Sequence, residues 1–175
     1  MKKILAIAVA LLMMMTAALA EEAVELNWED VEPVLEAAGV DGDFYTFDDV
    51  NIEMWIPEGL ESVELSDADV EKGYIGYFMP EDQSAVVAVM YVDVNGMSLE
   101  EYADYLSNNA DVDEVDMGVV NGFACVSYKM PAQDSVSIAF TTEAGYVLEV
   151  TCTPASEENA ELVWGAVFSS IQAAA

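Results

Sequence analysis

The chain has 175 residues, 54% of them apolar, and sets 34 Asp and Glu against four Lys and Arg, for a formal net charge of −30. A surface so acidic cannot neutralise phosphates and repels nucleic acid and anionic lipid, so nucleic-acid binding is excluded. There is no histidine, which removes Ser-His-Asp and Cys-His catalysis and histidine-ligated zinc from the chemistry open to this chain.

The first twenty residues read as a signal peptide. Lys2 and Lys3 form a positive n-region, Ile4 to Met15 an apolar h-region, and Ala18 and Ala20 the small residues a signal peptidase accepts, with cleavage expected before Glu21. The apolar run is short of the ~20 residues that span a bilayer, and no cysteine stands at the cleavage point for lipid attachment. The expected product is a secreted, extracytoplasmic protein, soluble and not inserted in the membrane once the signal is removed. Its 34 acids then face only Lys72 and Lys129, a net charge of −32. High charge often means disorder, but the apolar fraction and the dispersed aromatics predict a real core with the acidity on its surface.

Residues 21–43 form an N-terminal lead and a short helix. Glu21 to Asn27 is polar; Asp30 to Ala38 reads as helix, with Val31, Val34, Leu35 and Ala38 on one face. Asp30 as N-cap would put Pro33 in the first turn, where its missing N–H costs nothing. Gly39 ends the helix and Asp41-Gly42-Asp43 turns the chain. Val50, Ile52, Met54 and Ile56 alternate with Asn51, Glu53 and Trp55 as a half-buried strand does, stopped at Pro57-Glu58-Gly59. An acidic loop follows. Tyr74 to Met79 and Ala85 to Val92 predict a hairpin, the second strand apolar enough to be central and covered on both faces. Ser98-Leu99-Glu100-Glu101 is a capping box opening a helix through about Asn108, with Tyr102 and Leu106 inward.

Strands are then expected near Glu114 to Val119, Phe123 to Met130, Ser135 to Thr142 and Tyr146 to Thr153, joined as a meander by turns at Asn121-Gly122, Pro131 to Asp134 and Glu143-Ala144-Gly145. A final helix, N-capped by Ser156, places Ala160, Val163, Trp164, Val167, Phe168 and Ile171 along one apolar face. Strands mostly antiparallel with interspersed helices define an α+β fold: a single domain with a mostly antiparallel sheet layered by helices, an α/β/α sandwich.

Several of these segments resemble the PsbP-like group, including DcrB-type exported bacterial proteins. They are Ile56-Pro57-Glu58-Gly59, Ser98-Leu99-Glu100-Glu101-Tyr102, Asn121-Gly122 before Cys125-Val126-Ser127-Tyr128, Gly145-Tyr146-Val147-Leu148-Glu149-Val150 and Phe168-Ser169-Ser170-Ile171. The resemblance covers roughly residues 44–171 and assigns 44–175 to a PsbP-like α/β domain. It implies a non-enzymatic accessory or binding module and transfers no catalytic residue.

The chain contains neither a G-x-x-x-x-G-K nor a G-x-G-x-x-G motif. A two-carboxylate hydrolase is formally open, but acids this abundant make any chosen pair uninformative. Asp67, Asp69 and Glu71 alternate like the opening of a calcium loop, yet Lys72 stands where glycine is needed and Phe78 where a bidentate Glu belongs. Asp111, Asp113, Glu114 and Asp116 cluster before a strand without a calcium-loop spacing and read first as a solvated acidic loop. Trp55, opposite the alternating apolar face, is expected in the core, with a sugar or peptide platform as the alternative; Trp164, Tyr102 and Tyr128 read as core. Cys125 and Cys152 are expected to be buried thiols, on opposite sheet faces and about two strand spacings apart, roughly 9.6 Å. The expectation is a secreted non-enzymatic accessory or ligand-binding domain with no cofactor, no metal site and no catalytic residue, whose partner is an extracellular protein or small ligand not identified by the sequence. A calcium-dependent or carbohydrate/peptide-binding module is the alternative, and a carboxylate-dependent hydrolase comes third.

Overall fold

The computed structural model describes residues 25–48, 50–142, 145–157 and 159–174; the expected signal peptide and the start at Glu21 lie outside them. By their contacts the residues fall into two compact units, each taken in turn.

The first unit draws on residues up to Glu58, on Gly118–Phe123 and on the chain from Glu157. It contains strand β1 (Glu25–Leu26), helix α1 (Trp28–Ala38), strands β2 (Gly42–Phe47) and β3 (Ile52–Pro57), and, near the C-terminus, helix α4 (Ala160–Ser169) and strand β11 (Gln172–Ala173). β3 is the middle strand of a three-stranded antiparallel sheet, with β2 on one side and β11 on the other. β1 lies parallel to Val119 and Val120.

Helix α1 starts two residues before the expected N-cap, so Pro33 sits in its interior rather than its first turn. Interior proline costs ~3 kcal/mol or more, and the early start is supported from outside the helix. The Trp28 N–H donates to Asn121 Oδ1 at 3.2 Å, and the Trp28 ring packs on Phe44 and Trp55. The helix closes as expected at Gly39 (φ 69°), with the Val40 N–H returning to the Leu35 carbonyl. Val31, Val34 and Leu35 are buried and Ala38 is exposed.

The expected turn at Asp41-Gly42-Asp43 is instead the start of β2, an edge strand whose side chains are mostly exposed and so carry no apolar alternation. In β3 the burial does not alternate: Met54, Trp55 and Ile56 are all buried. The final helix starts at Ala160 with Asn159 at its cap, not at Ser156, because the Ser156 hydroxyl is taken by Asp134 Oδ2 at 2.7 Å. Nor does α4 bury one face only. Leu162 and every residue from Trp164 to Ser169 are buried, and the helix packs on α1 and β3.

The second unit comprises Gly59–Met117 and Ala124–Ser156. Its strands are β4 (Glu61–Ser62), β5 (Tyr74–Met79), β6 (Val86–Asp93), β7 (Asp113–Val120, ending in the first unit), β8 (Phe123–Met130), β9 (Ser135–Thr141) and β10 (Tyr146–Thr153). They run in the order β7-β8-β9-β10-β6-β5-β4. The expected β5–β6 hairpin and β8-β9-β10 meander are present, all antiparallel. β6 is an interior strand with Val87, Ala88 and Val89 buried in succession, as its unbroken apolar sequence requires.

The acidic loop contains a short helix, α2 (Asp67–Glu71), opened by a Ser66–Asp69 capping box. Helix α3 (Leu99–Ser107) has the expected box: Ser98 Oγ accepts the Glu101 N–H and Glu101 Oε2 accepts the Ser98 N–H. Leu99, Tyr102 and Leu106 of α3 join Val126, Tyr128, Ala139 and Val147 in one buried cluster.

Candidate functional site

A cleft of about 260 Å³ opens on the first unit, among α1, β2 and β3. Its aromatic wall comes from three chain segments. Trp28 opens α1, and the β2–β3 register sets Phe44 directly across from Trp55. The Trp28 centroid lies 5.4 Å from that of Phe44, the rings nearly perpendicular, and 6.0 Å from that of Trp55. Trp55 is 5% exposed and forms the base, Trp28 is half-buried, and Phe44 is 40% exposed. Trp55 is therefore core, as expected, and no open platform by itself.

The backbone around Trp55 is built to hold the indole there. Its N–H donates to the buried Ser170 Oγ at 2.8 Å, and that hydroxyl donates to the Val167 carbonyl at 2.7 Å. Across the pair, a Cβ on Gly42 would overlap both the Ile56 carbonyl oxygen and the Trp55 indole. The strand can cross the ring only because position 42 has no side chain.

Four exposed carboxylates line the cleft: Glu32 and Glu36, one turn apart on α1 and in helical register with Trp28, and Asp41 and Asp43 at the start of β2. The described residues of this unit include no Lys, Arg or His. The chain's two lysines beyond the N-terminal segment lie in the other unit, each held there by a carboxylate: Lys72 by Asp69 at 3.7 Å, and Lys129 by Glu114.

Asn121 fixes the approach of α1 to the end of α4. While its Oδ1 accepts from Trp28, its Nδ2 donates to the carbonyls of Ser169 at 2.7 Å and Ile171 at 2.8 Å. One side chain thus caps the start of one helix and the end of another. The apolar spacing that defines a helix from Asp30 leaves Trp28 outside it. The signal that marks it is Asn27 as a helix N-cap followed by Glu29 and Asp30 in the first turn.

In the second unit the strongest polar constellation is closed. The Tyr102 hydroxyl donates to Glu149 Oε2 at 2.8 Å, and the charge of the same carboxylate acts on Tyr128. Burial first, and then the Glu149 charge, push both phenols above their ordinary range. The Tyr102 hydrogen bond ties α3 to β10. Tyr102 and Tyr128 are 8% and 4% exposed, core residues as expected. Glu149, an acid within the apolar run of β10, was not singled out from the sequence.

The acidic candidates do not gather. Asp67, Asp69 and Glu71 belong to α2, where Ser66 is the main cause that lowers the Asp69 carboxyl, with Lys72 a smaller one. Near Asp111, Asp113 and Asp116, Glu114 is engaged by Lys129. Among the described residues no group of three or more acidic or cysteine side chains is placed to hold a metal ion.

Cys125 and Cys152 are buried thiols on β8 and β10 with β9 between them, and burial raises the Cys152 thiol well above its ordinary range. The expected opposite faces are corrected by the register. Continuing Val126↔Ala139 by one residue sets Cys125 beside Phe140, hence on the face of Leu148 and Cys152. Separation across β9 and along the strands, not orientation, keeps them apart.

The helices and largely antiparallel sheets make this an α+β protein with a PsbP-like fold. One solved structure with this fold is the solution structure of cyanobacterial PsbP (CyanoP) from Synechocystis sp. PCC 6803. It matches with a TM-score of 0.53 over 75% of this chain and 92% of that chain, at 12% identity. No family model matches the sequence, and no curated protein does. A likeness at that identity establishes the fold alone.

Proposed function

We propose that the protein is an exported, non-enzymatic accessory domain that binds a ligand or partner through the cleft of Trp28, Phe44 and Trp55. The observation that carries this reading is the cleft itself. Aromatic surface is drawn from three segments, held by Gly42, Ser170 and Asn121, and Glu32, Glu36, Asp41 and Asp43 line the same cleft. Its lining mixes aromatic and carboxylate surface, and a concave site that combines ring surface with oriented polar groups is a usual form of small-ligand site. Export is supported by the Lys2–Lys3, Ile4 to Met15 and Ala18–Ala20 pattern, and among the described residues no helix is long and apolar enough to cross a membrane.

A thermal-shift panel of glycans, peptides and small cations, run on the wild type and on Trp28→Ala, tests the reading. A ligand that raises the Tm of the wild type and not of the variant, and is recovered unchanged, is the expected result; turnover of any panel member would overturn it. A carbohydrate-binding module is the second reading, favoured by tryptophan beside acceptor carboxylates, and the glycan arm decides it. Intact-mass measurement of secreted material should find Glu21 as the first residue, and a retained Met1 to Ala20 would defeat the export assignment.

A further inference from the structure

We infer that the cleft selects a quaternary ammonium group, of the size of a trimethylammonium headgroup. This rests on the cleft being the binding site and adds the chemistry of what it takes. Charge is the first argument. Glu32, Glu36, Asp41 and Asp43 line one cleft in a unit whose described residues offer them no cationic side chain, while Lys72 and Lys129 pair with Asp69 and Glu114. A counter-charge must therefore come from solution, and an anion or acidic peptide is repelled.

Ring placement is the second argument. Trp28 and Phe44 both retain exposed surface and stand nearly perpendicular with centroids 5.4 Å apart, so a cation seated in the corner between them lies within the ~6 Å reach of both rings, with the buried Trp55 behind Trp28. Size is the third. A volume of about 260 Å³ falls below the ~300–1,000 Å³ of sites for drug-sized ligands, which suits a headgroup and not a large cofactor.

The chemistry of the wall separates quaternary from primary ammonium. A primary ammonium is strongly hydrated and needs acceptors for three N–H groups. The aromatic wall offers none, so such a group would be drawn to the solvated carboxylates and stay hydrated there instead of covering the rings. A trimethylammonium group has no N–H to satisfy, presents methyl surface to the rings, and still feels the field of four carboxylates. A free solute and a lipid headgroup can both supply that group.

The test is calorimetric titration of the full secreted protein, with the indole N–H resonances followed by NMR. The probes are tetramethylammonium, choline, methylammonium and 3,3-dimethylbutanol, the last a neutral isostere of choline; sedimentation with phosphatidylcholine vesicles forms a separate arm. Choline and tetramethylammonium should bind saturably and move the Trp28 and Trp55 signals, with methylammonium and the neutral isostere at least ~10-fold weaker, a difference of about 1.4 kcal/mol. Glu32→Gln with Glu36→Gln should weaken choline several-fold and flatten its salt dependence. Trp28→Ala should abolish binding, and Phe44→Leu, which keeps an apolar side chain at a partly exposed position, should weaken it.

Vesicle binding lost in Trp28→Ala would assign the headgroup source; choline binding without vesicle binding would assign the free solute. Isostere binding equal to choline binding, or methylammonium binding more tightly, would overturn the ammonium inference and leave the cleft as a binding site. If no probe or panel ligand responds to Trp28→Ala, the inference and the proposed function both fall.

Discussion

Removing the Asn121 side chain should cost the first unit more than any exposed substitution, and the structure gives the size. Asn121→Ala loses an acceptor for the Trp28 N–H and two short donations to the carbonyls of Ser169 and Ile171. At about 1 ± 0.5 kcal/mol each these sum to roughly 2–4 kcal/mol. A further ~1 kcal/mol comes from forcing alanine into the left-handed conformation that Asn121 adopts at φ 47°. Asn121→Gly removes the same bonds without that strain, so the difference between the two variants isolates the backbone contribution. Asn121→Asp keeps the acceptor and the turn conformation but turns a negative oxygen toward two carbonyls. Its cost should exceed that of Asn121→Gly at neutral pH.

The sign of the pH dependence follows. Two neighbouring carbonyls favour the protonated acid, so the folded pKa of the introduced carboxyl is raised above its unfolded value of about 3.9. The stability that protonation brings is fully present below that unfolded value and is lost as pH rises through the folded one. Asn121→Asp should therefore approach wild-type stability on acidification and fall away from it toward neutrality. Urea unfolding across this pH range is the assay, read as the change in midpoint at constant m. An Asn121→Ala cost within ~0.5 kcal/mol, the range of an ordinary surface change, would refute the bridge. So would an Asn121→Asp deficit that does not change with pH.

Three further outcomes are expected. Gly42→Ala must displace the Trp55 indole or the β2–β3 pairing, so it should destabilise by ~1–3 kcal/mol and shift the Trp55 indole resonance; an unchanged resonance with wild-type stability would contradict the packing. Because the Tyr102 and Tyr128 phenols are raised above 10.0, their stabilisation is intact below that pH and is lost as pH climbs through the folded values; spectrophotometric titration should show alkaline unfolding that Tyr102→Phe with Tyr128→Phe makes shallower. Salt of any kind should raise thermal stability as the Debye length falls from ~30 Å at 0.01 M to ~10 Å at 0.1 M, with calcium and magnesium nearly equal. A saturable calcium gain near the ~2.7 kcal/mol expected at a hundredfold excess over Kd, absent with magnesium, would instead mark a specific site.

What was legible in the sequence is what local chemistry dictates. Ser98-Leu99-Glu100-Glu101 fixed the start of α3, and the alternation and turn residues placed β5, β6, β8, β9 and β10 close to their observed limits. Pro33 misled because a helix start can be supported from a distance, here by Asn121. Ser156 misled for the matching reason, its hydroxyl being taken by Asp134. β2 escaped because an edge strand need not alternate: Phe44 and Tyr45 stay about 40% exposed, and only pairing with β3 makes the segment a strand.

The cleft was illegible for a different reason. Trp55 could be read as a candidate, but its partners are 27 and 11 residues away in sequence, and their meeting depends on the missed strand and the misplaced helix start. Acidity could not point to it either, since 34 acids supply any pattern sought. What sets Glu32, Glu36, Asp41 and Asp43 apart is shared position beside three rings. The few cations sharpen that distinction. With Lys72 and Lys129 occupied by Asp69 and Glu114, counter-charge at the rim comes from solution. A diffuse ion atmosphere supplies it without preference, whereas a cation that also covers aromatic surface gains ~0.5–2 kcal/mol from the rings. That increment, and not the net charge, is what would turn an acidic surface into a selective one.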